Sequence, residues 1–162
     1  MAKITVKGLD EYALKLSRIE GKTTEIAKKA VRAGANPVID EVRKRLEALP
    51  SDTFRYLQPG EVFNGIPEKQ RKDLLDGLGV AKPDIDMKGN ANTKVGFEGY
   101  GSYPTKKYPK GLPNALLARA IESGSSVRKK IPFVRPAVTK TKKAAQEEMA
   151  KVIDKELKTF TE

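Results

Sequence analysis

The sequence predicts a single α+β domain over residues 1–162, with a small antiparallel sheet and long helices near both chain ends. Apolar residues recur at helical spacing near both ends, and two short segments typical of strands flank Gly89–Asn92. The length of 162 residues is that of about one domain. No internal repeat or low-complexity tract divides the chain. We therefore expect one core, and we expect the N-terminal helix to be kinked.

The N-terminal region is expected to form a short strand followed by two helical segments. Ile4–Val6, followed by Lys7-Gly8, is typical of a strand and a turn. Gly21 is expected to break the helix that follows, whose apolar positions are Leu9, Tyr12 or Ala13, Leu16 and Ile19. A second helix is expected to have a bend near Pro37, because proline removes a backbone donor and clashes with the preceding turn.

A loop and a short helix are expected next. Residues 51–67 are rich in proline and glycine and form too long a segment for a simple connector. Within this loop Phe54, Tyr56 and Phe63 are expected to be exposed or packed locally. Glu68–Leu78 has the pattern of a short helix closed by a glycine.

The central region is expected to form a hairpin. Val80–Lys88 and Thr93–Gly99 bracket Gly89–Asn92, whose residues tolerate left-handed conformations. The first strand also carries the closest approach to a metal-nuclease signature, in Asp84, Asp86 and Lys88. Alternate strand residues point to one face, so the simplest interpretation is a solvated face, with a metal site as the alternative.

The C-terminal third is expected to contain a short apolar element, a basic loop, an extended strap and a long helix. Ala115–Ile121 is a short apolar element that Gly124 and neighbouring serines interrupt. Arg128, Lys129 and Lys130 follow, and we expect them in a mobile loop. Pro132 and Pro136 favour an extended strap over residues 131–136 that places Phe133 in the core. Pro136 is expected to begin the last helix, whose lysines lie off its apolar stripe.

Composition excludes several function classes. The chain has 32 Lys plus Arg against 21 Asp plus Glu, a formal net charge of +11 that favours polyanionic surroundings. Because it contains neither cysteine nor histidine, disulfides, thiol nucleophiles, imidazole ligands and the usual neutral-pH base are all excluded. No apolar run reaches the length of a membrane span or a signal, so neither secretion nor membrane spanning is expected. No catalytic residue, cofactor site or metal site is predicted.

Two segments are candidates for contacts with partners. The first is the turn-rich segment from Tyr100 to Lys110, in which three tyrosines and three lysines are interspersed. It could be a contact arm between subunits, a surface that stacks single-stranded nucleic acid, or an ordinary exposed loop. The second is the Ser125–Lys130 loop. It leads into a basic stretch from Arg128 to Lys151, which is either a solvated helix face or a surface that faces a polyanion. The predicted contact residues are Tyr100, Tyr103, Lys106, Lys107, Tyr108, Arg128, Lys129 and Lys130.

An ordered series of landmarks resembles a known family. The landmarks are Val6–Glu11, Ala27–Ala35, Asp73–Gly79, Lys94–Phe97, Ala118–Gly124 and Pro132–Ala137. Together, from about Ile4 to Phe160, they resemble the neck or tail-completion proteins of long-tailed bacteriophages. One departure is that members commonly have Thr-Gly after the long N-terminal helix, whereas here Thr53 is followed by Phe54.

The resemblance implies a non-enzymatic virion protein at the head-to-tail junction, made in the host cytoplasm. It would assemble as a homo-oligomeric ring between head-closure or connector proteins and tail-terminator or tail-tube proteins, around the DNA channel. Nonspecific contact with that DNA is a further expectation. The main alternative is a basic nucleic-acid-binding accessory protein, and a third is a metal-dependent nuclease built on Asp84, Asp86 and Lys88.

Overall fold

A computed structural model of the chain describes the backbone of residues 9–161 and the side chains of residue 19 and of residues 21–160. Four helices and four short strands occur in this part of the chain. In chain order they are α1 (Leu9–Glu47), α2 (Glu68–Gly77), β1 (Leu78–Val80), β2 (Asp84–Ile85), β3 (Ala91–Asn92), β4 (Val95–Phe97), α3 (Asn114–Ser123) and α4 (Val134–Thr161). The predicted α+β class is confirmed. The predicted strand at Ile4–Val6 lies outside the described residues.

The helix α1 is one continuous element of 39 residues, and the predicted break at Gly21 is wrong. A glycine inside a helix costs roughly 1 kcal/mol relative to alanine, which is too little to break a helix of this length. From the next residue onward α4 lies beside α1, since the ammonium of Lys22 stands 5.6 Å from the ring centroid of Phe160. Pro37 lies inside α1 as expected. The bend at that proline stays a prediction.

The helices α1 and α4 run antiparallel. Lys29 of α1 pairs with Glu156 of α4 at 2.9 Å, and Glu41 of α1 pairs with Lys140 of α4 at 3.0 Å. The later residue of α1 thus pairs with the earlier residue of α4, as antiparallel helices require. Between these ion pairs the two backbones approach closely at Gly34, where an added Cβ would lie 3.1 Å from the carbonyl oxygen of Ala145. The glycine is therefore required by the closeness of the helices.

The core lies at the end of this helix pair where α1 ends and α4 begins. Its side chains come from all four helices, from β1 and from the segments before α2 and α4. The buried cluster consists of Val42, Leu46, Leu49, Ile66, Leu74, Leu78, Leu117, Ala118, Ile121, Phe133 and Ala137. The expectation that Phe133 packs in the core is confirmed, since it is almost completely buried and lies 6.0 Å from Phe97 between ring centroids.

The four strands form two nested antiparallel pairs of one interrupted hairpin. The outer pair joins β1 to β4 with Gly79 opposite Gly96, and the inner pair joins β2 to β3. The turn between the inner strands lies at residues 87–89, not at Gly89–Asn92 as predicted, because Ala91 and Asn92 belong to β3. Asp86 fixes this turn, since its carboxylate accepts hydrogen bonds from the N–H groups of Lys88 and Asn90.

The helix α4 begins at Val134, two residues earlier than predicted, so an extended strap over residues 131–136 is wrong at its C-terminal end. The buried carboxylate of Glu122, in α3, explains the earlier start. It accepts hydrogen bonds from the N–H groups of Phe133, Val134 and Arg135 at 2.7, 2.8 and 3.0 Å. The next residue, Pro136, has no N–H group to satisfy, so the backbone donors at the start of α4 all have a partner. The partial positive charge at this end of the helix also lies beside a carboxylate.

Burial would raise the pKa of Glu122, but the three N–H donors and the charge of Arg135 hold that pKa below its usual value of 4.5. The carboxylate therefore carries its charge at neutral pH and acts as the cap that joins α3 to α4. Among the helices that the structure describes, none is both long and apolar enough to cross a membrane.

Candidate partner-contact surface

Two loops are joined by a stack of aromatic rings. The ring of Phe54, in the loop between α1 and α2, lies 4.2 Å from the ring of Tyr103 and nearly parallel to it, at 9°. Phe63 also stacks with Phe54, with 6.0 Å between the ring centroids and 14° between the ring planes. Lys69 places its ammonium 5.5 Å from the Tyr103 centroid. The stack thus fixes the residue 51–67 loop against the residue 100–110 loop.

The first loop is closed at its base by backbone pairing. Ile66 donates to the carbonyl of Pro50, and Asp52 donates to the carbonyl of Ile66. The carboxylate of Asp52 accepts hydrogen bonds from the N–H groups of Asn64 and Thr53 and pairs with Arg55. The Asn64 N–H makes the largest contribution to lowering the pKa of Asp52, and these other donors lower it further. The loop is consequently ordered from within, and it presents Tyr56 with 95% of its surface exposed.

The residue 100–110 loop is closed at its base by a backbone hydrogen bond, at a point where only glycine fits. The N–H of Gly101 donates to the carbonyl of Leu112 at 2.8 Å. Gly111 has a φ of 99°, and a Cβ there would lie 1.8 Å from the carbonyl oxygen of Gly101. At the start of the loop, the backbone N–H and the hydroxyl of Ser102 both donate to the carboxylate of Asp73, at 2.7 and 2.6 Å. The loop is therefore a fixed surface feature.

Arg128 was expected in a mobile basic loop, and that placement is wrong. Its side chain is only 6% exposed and donates to the carbonyl of Gly65 at 2.7 Å and to the side-chain oxygen of Gln70 at 3.0 Å. The guanidinium also lies 5.1 Å from the centroid of Phe63. Burial lowers the pKa of Arg128, and the negative charge of Asp52 opposes that shift.

Backbone pairing explains why this arginine is buried whereas its neighbours are not. The N–H of Phe63 donates to the carbonyl of Val127, and the N–H of Lys129 donates to the carbonyl of Phe63, each at 2.9 Å. This short extended pairing turns Arg128 inward and leaves Lys129 and Lys130 exposed. Three consecutive basic residues give no sign of which one is turned inward.

Of the other predicted contact residues, some have exposed side chains and two have half-buried side chains. Tyr100 is 60% exposed, and Lys106 and Lys107 are also exposed. Tyr103 is half-buried with Phe54 on one side of its ring, and Tyr108 is half-buried with Lys107 at 5.6 Å. We use the term contact surface for the exposed set, which consists of Phe54, Tyr56, Tyr100, Lys106, Lys107, Lys129 and Lys130.

Sequence reasoning did not predict that Phe54 belongs to the contact surface or that Lys69 lies beside the Phe54–Tyr103 stack. A cleft of about 570 Å³ lies beside the stack, lined in part by Ser51, Thr53 and Lys69. The sequence did offer one signal, which was the presence of aromatic residues in the unusually long loop of residues 51–67. However, Tyr103, the partner of Phe54, lies about 50 residues away in sequence. The pairing could not be deduced without the fold.

The hairpin residues considered for a metal site play other parts. Asp86 holds the turn, and its pKa is lowered chiefly by the N–H of Asn90. Asp84 accepts a hydrogen bond from the N–H of Ile85 and is exposed in β2. Within the described residues, no group of three or more acidic, histidine or cysteine side chains could hold a metal ion.

No protein-family model matches this chain, and neither a curated protein nor a solved structure matches it.

Proposed function

We propose that this chain is a non-enzymatic structural protein of a tailed bacteriophage that acts at the head-to-tail junction. One observation carries the proposal: two long loops are locked together by the Phe54–Tyr103 stack and present aromatic and basic side chains outward. Rigid aromatic residues with a polar group supply contact area at a small cost in conformational entropy. Such a surface suits binding to other proteins.

The acidic side chains support a structural role as well. The carboxylates of Asp52, Asp73, Asp86 and Glu122 each accept at least two hydrogen bonds from groups of the chain itself. Groups held in this way fix loops and helix ends, whereas a general base must remain available to a substrate. Their roles are explained by the fold alone.

In the proposed assembly, identical subunits form a ring by heterologous contacts that close on themselves. The contact surface would face a head-closure or connector protein on one side, or a tail-terminator or tail-tube protein on the other. Lysines that line the channel would contact the passing DNA without sequence preference. The protein would act in the virion after assembly in the host cytoplasm.

The test replaces the phage gene with a variant that carries Tyr100→Ala and Lys107→Glu. Both side chains are on the surface, so folding should be retained while particle yield falls at least tenfold and unjoined heads and tails accumulate. Met87→Ala is the matched control, because Met87 is fully exposed at the hairpin turn. Normal yield from the double variant, with the control also normal, would contradict the proposed use of this surface.

The second candidate, a basic nucleic-acid-binding protein, is favoured by the net charge of +11 and by the exposed lysines. It predicts duplex affinity that falls steeply with salt. One ring face of Tyr103 is occupied by Phe54, and Lys69 lies near the ring, which leaves little room for a base to stack there. Tight salt-sensitive binding by the purified protein, together with intact particle assembly in the absence of its gene, would favour this candidate.

A further inference from the structure

The side-chain oxygen of Asn114, the first residue of α3, is buried and has no hydrogen-bond donor among the described residues. The NH₂ group of the same side chain donates to the backbone carbonyls of Asp73 and Glu98, at 3.0 and 2.8 Å. Because both partners are acceptors, the orientation of the amide is fixed and its oxygen, Oδ1, faces away from them. Asn114 is only 3% exposed. Buried acceptors without a donor are rare in folded proteins, so this oxygen points to a group that binds there.

Residues of this sequence outside the described part are too distant to supply the donor. Eight residues precede α1, and a fully extended chain of that length spans at most about 28 Å. From Leu9 to Leu46, which lies in the core with Leu74 and Leu117, α1 is about 55 Å long. The other side chains outside the described part belong to that same distant end of α1 and to the end of α4.

Three oxygen atoms face the small space in front of the Cα of Gly101. Apart from atoms of adjoining residues, the nearest neighbours of a Cβ added there would be the carbonyl oxygen of Leu112 at 3.4 Å, Oδ2 of Asp73 at 3.6 Å and Oδ1 of Asn114 at 3.8 Å. The Leu112 carbonyl accepts a hydrogen bond from the N–H of Gly101, and Oδ2 of Asp73 accepts one from the N–H of Ser102. Each of these two oxygens has a second lone pair. The space thus has room for a group of the size of a methyl, and the atoms around it favour a group with several donors.

The surroundings of this space are negative, although the chain has a formal net charge of +11. A cleft of about 470 Å³ is lined by Asp73 and Asn114 together with Asp76, Glu98 and Tyr100, and we call it the acidic cleft. None of the described residues that line it is basic. Asp76 lies in the last turn of α2, where no basic residue balances the partial negative charge of the helix end. The N-terminus of α3 adds only about half a positive charge, which three carboxylates outweigh.

A lysine side chain fits the acidic cleft better than a metal ion or an arginine does. The ammonium group has three donors and no acceptor, and it is compact, whereas the guanidinium of arginine is a wide planar group. Within the described residues, no group of three or more acidic, histidine or cysteine side chains could hold a metal ion. The ring of Tyr100, which is 60% exposed, offers an apolar surface to the methylene stem of a lysine.

We propose that the acidic cleft binds the side chain of a lysine from a partner protein. The ammonium group donates to Oδ2 of Asp73, to Oδ1 of Asn114 and to the carbonyl of Leu112, while the stem lies along Tyr100. Asp73 keeps its hydrogen bonds from Ser102, because the ammonium uses a remaining lone pair. Tyr100 also belongs to the contact surface, so the lysine would fix one point of a protein–protein contact. This inference does not rest on the proposed role at the head-to-tail junction.

The test uses Nα-acetyl-lysine methylamide as the probe and follows its binding to the purified protein by NMR. At low ionic strength the signals of the Gly101 backbone N–H and of the Asn114 side-chain NH₂ should shift and saturate, with a dissociation constant on the order of 1 mM. Nα-acetyl-norleucine methylamide has a stem of similar length but no ammonium group. It should leave both signals unchanged.

Gly101→Ala is the blocking variant. The added methyl group would fill the space with its nearest contact at 3.4 Å, so the fold should be retained while the probe binds at least tenfold more weakly. Gly79→Ala is the matched control, because no atom lies within 4 Å of its added Cβ, and it should bind the probe as the unsubstituted protein does. Asp76→Asn combined with Glu98→Gln, at two exposed positions, should weaken binding severalfold by removing negative charge.

The same signals identify the source of the lysine. Shifts that grow with the concentration of the protein alone, and that are absent in Gly101→Ala, would identify a second copy of this chain. A response to the probe without such concentration dependence would identify a lysine of a different protein. Either result supports the proposed site.

Four outcomes would overturn the proposal. The first is no shift at probe concentrations well above the expected dissociation constant, and the second is equal binding of the norleucine compound. The third is binding by Gly101→Ala that is as tight as that of the unsubstituted protein. The fourth is saturation of the same signals by CaCl₂ at lower concentrations than the probe requires, which would indicate a metal site. All of these readouts use purified protein, so they are independent of whether phage particles need this chain.

Discussion

Glu122→Gln tests the connection between α3 and α4. The substitution keeps the size of the side chain but removes its charge and replaces one acceptor oxygen with an NH₂ group. One of the three N–H donors at residues 133–135 would then face another donor. A lost hydrogen bond to a charged group costs about 1.5–3 kcal/mol, and loss of the carboxylate at the N-terminus of α4 costs about 0.3–1 kcal/mol more. The free energy of unfolding should therefore fall by about 2–4 kcal/mol at pH 7.

The pH dependence of that difference follows from the lowered pKa of Glu122. A carboxyl whose pKa is lower in the folded protein stabilises the fold above its unfolded pKa, near 4.5, and this stabilisation is lost as the pH falls through the folded pKa. The difference between the unsubstituted protein and Glu122→Gln should therefore be constant from pH 7 down to about pH 5 and shrink below that pH.

Urea denaturation followed by circular dichroism, at several pH values, measures both effects. Glu98→Gln serves as the control, because Glu98 is exposed in the segment after β4 and should change stability by less than about 0.5 kcal/mol. A cost below about 0.5 kcal/mol for Glu122→Gln at pH 7, or a difference that does not shrink in acid, would refute the capping role.

Two further predictions concern single residues with matched controls. Gly21→Ala should raise the free energy of unfolding by up to about 1 kcal/mol, because alanine favours a helix and no atom lies within 4 Å of the added Cβ. Gly34→Ala should give no such gain, since its Cβ would lie 2.7 Å from the Met149 side chain and press on the α4 backbone. Thermal melts measure both variants, and equal gains in stability at the two sites would contradict the close packing of α1 on α4. Arg128→Met should cost about 2–4 kcal/mol by leaving Gly65 and Gln70 without their donor. Lys129→Met, at an exposed position, should cost less than about 0.5 kcal/mol, and similar urea midpoints for the two variants would refute the burial of Arg128.

Local signals predicted most of the secondary structure. The helical spacing of apolar residues predicted α4, and a short helix closed by a glycine was predicted where α2 lies. Gly124, which was expected to interrupt the short apolar element at Ala115–Ile121, ends α3 with a φ of 77°. The hairpin was predicted from strand propensity around a turn-forming segment. These features depend on residues close together in sequence.

The helix α1 continues through Gly21 because the cost of one glycine, roughly 1 kcal/mol, does not break a helix of 39 residues. The other errors arose where distant residues decide the outcome. The helix α4 starts at Val134 because Glu122, which precedes it by 12 residues, caps it. Arg128 is buried because its segment pairs with Phe63, which precedes it by 65 residues. The Phe54–Tyr103 stack also joins separate loops, so the contact surface could be predicted only as two unrelated segments.

The most direct test of the proposed function removes the gene from the phage or prophage genome that carries it and examines the particles by electron microscopy. We expect filled heads and complete tails that remain separate, with infectivity restored when the unsubstituted gene is supplied in trans. Normal, infectious, tailed particles in the absence of the gene would contradict the proposal.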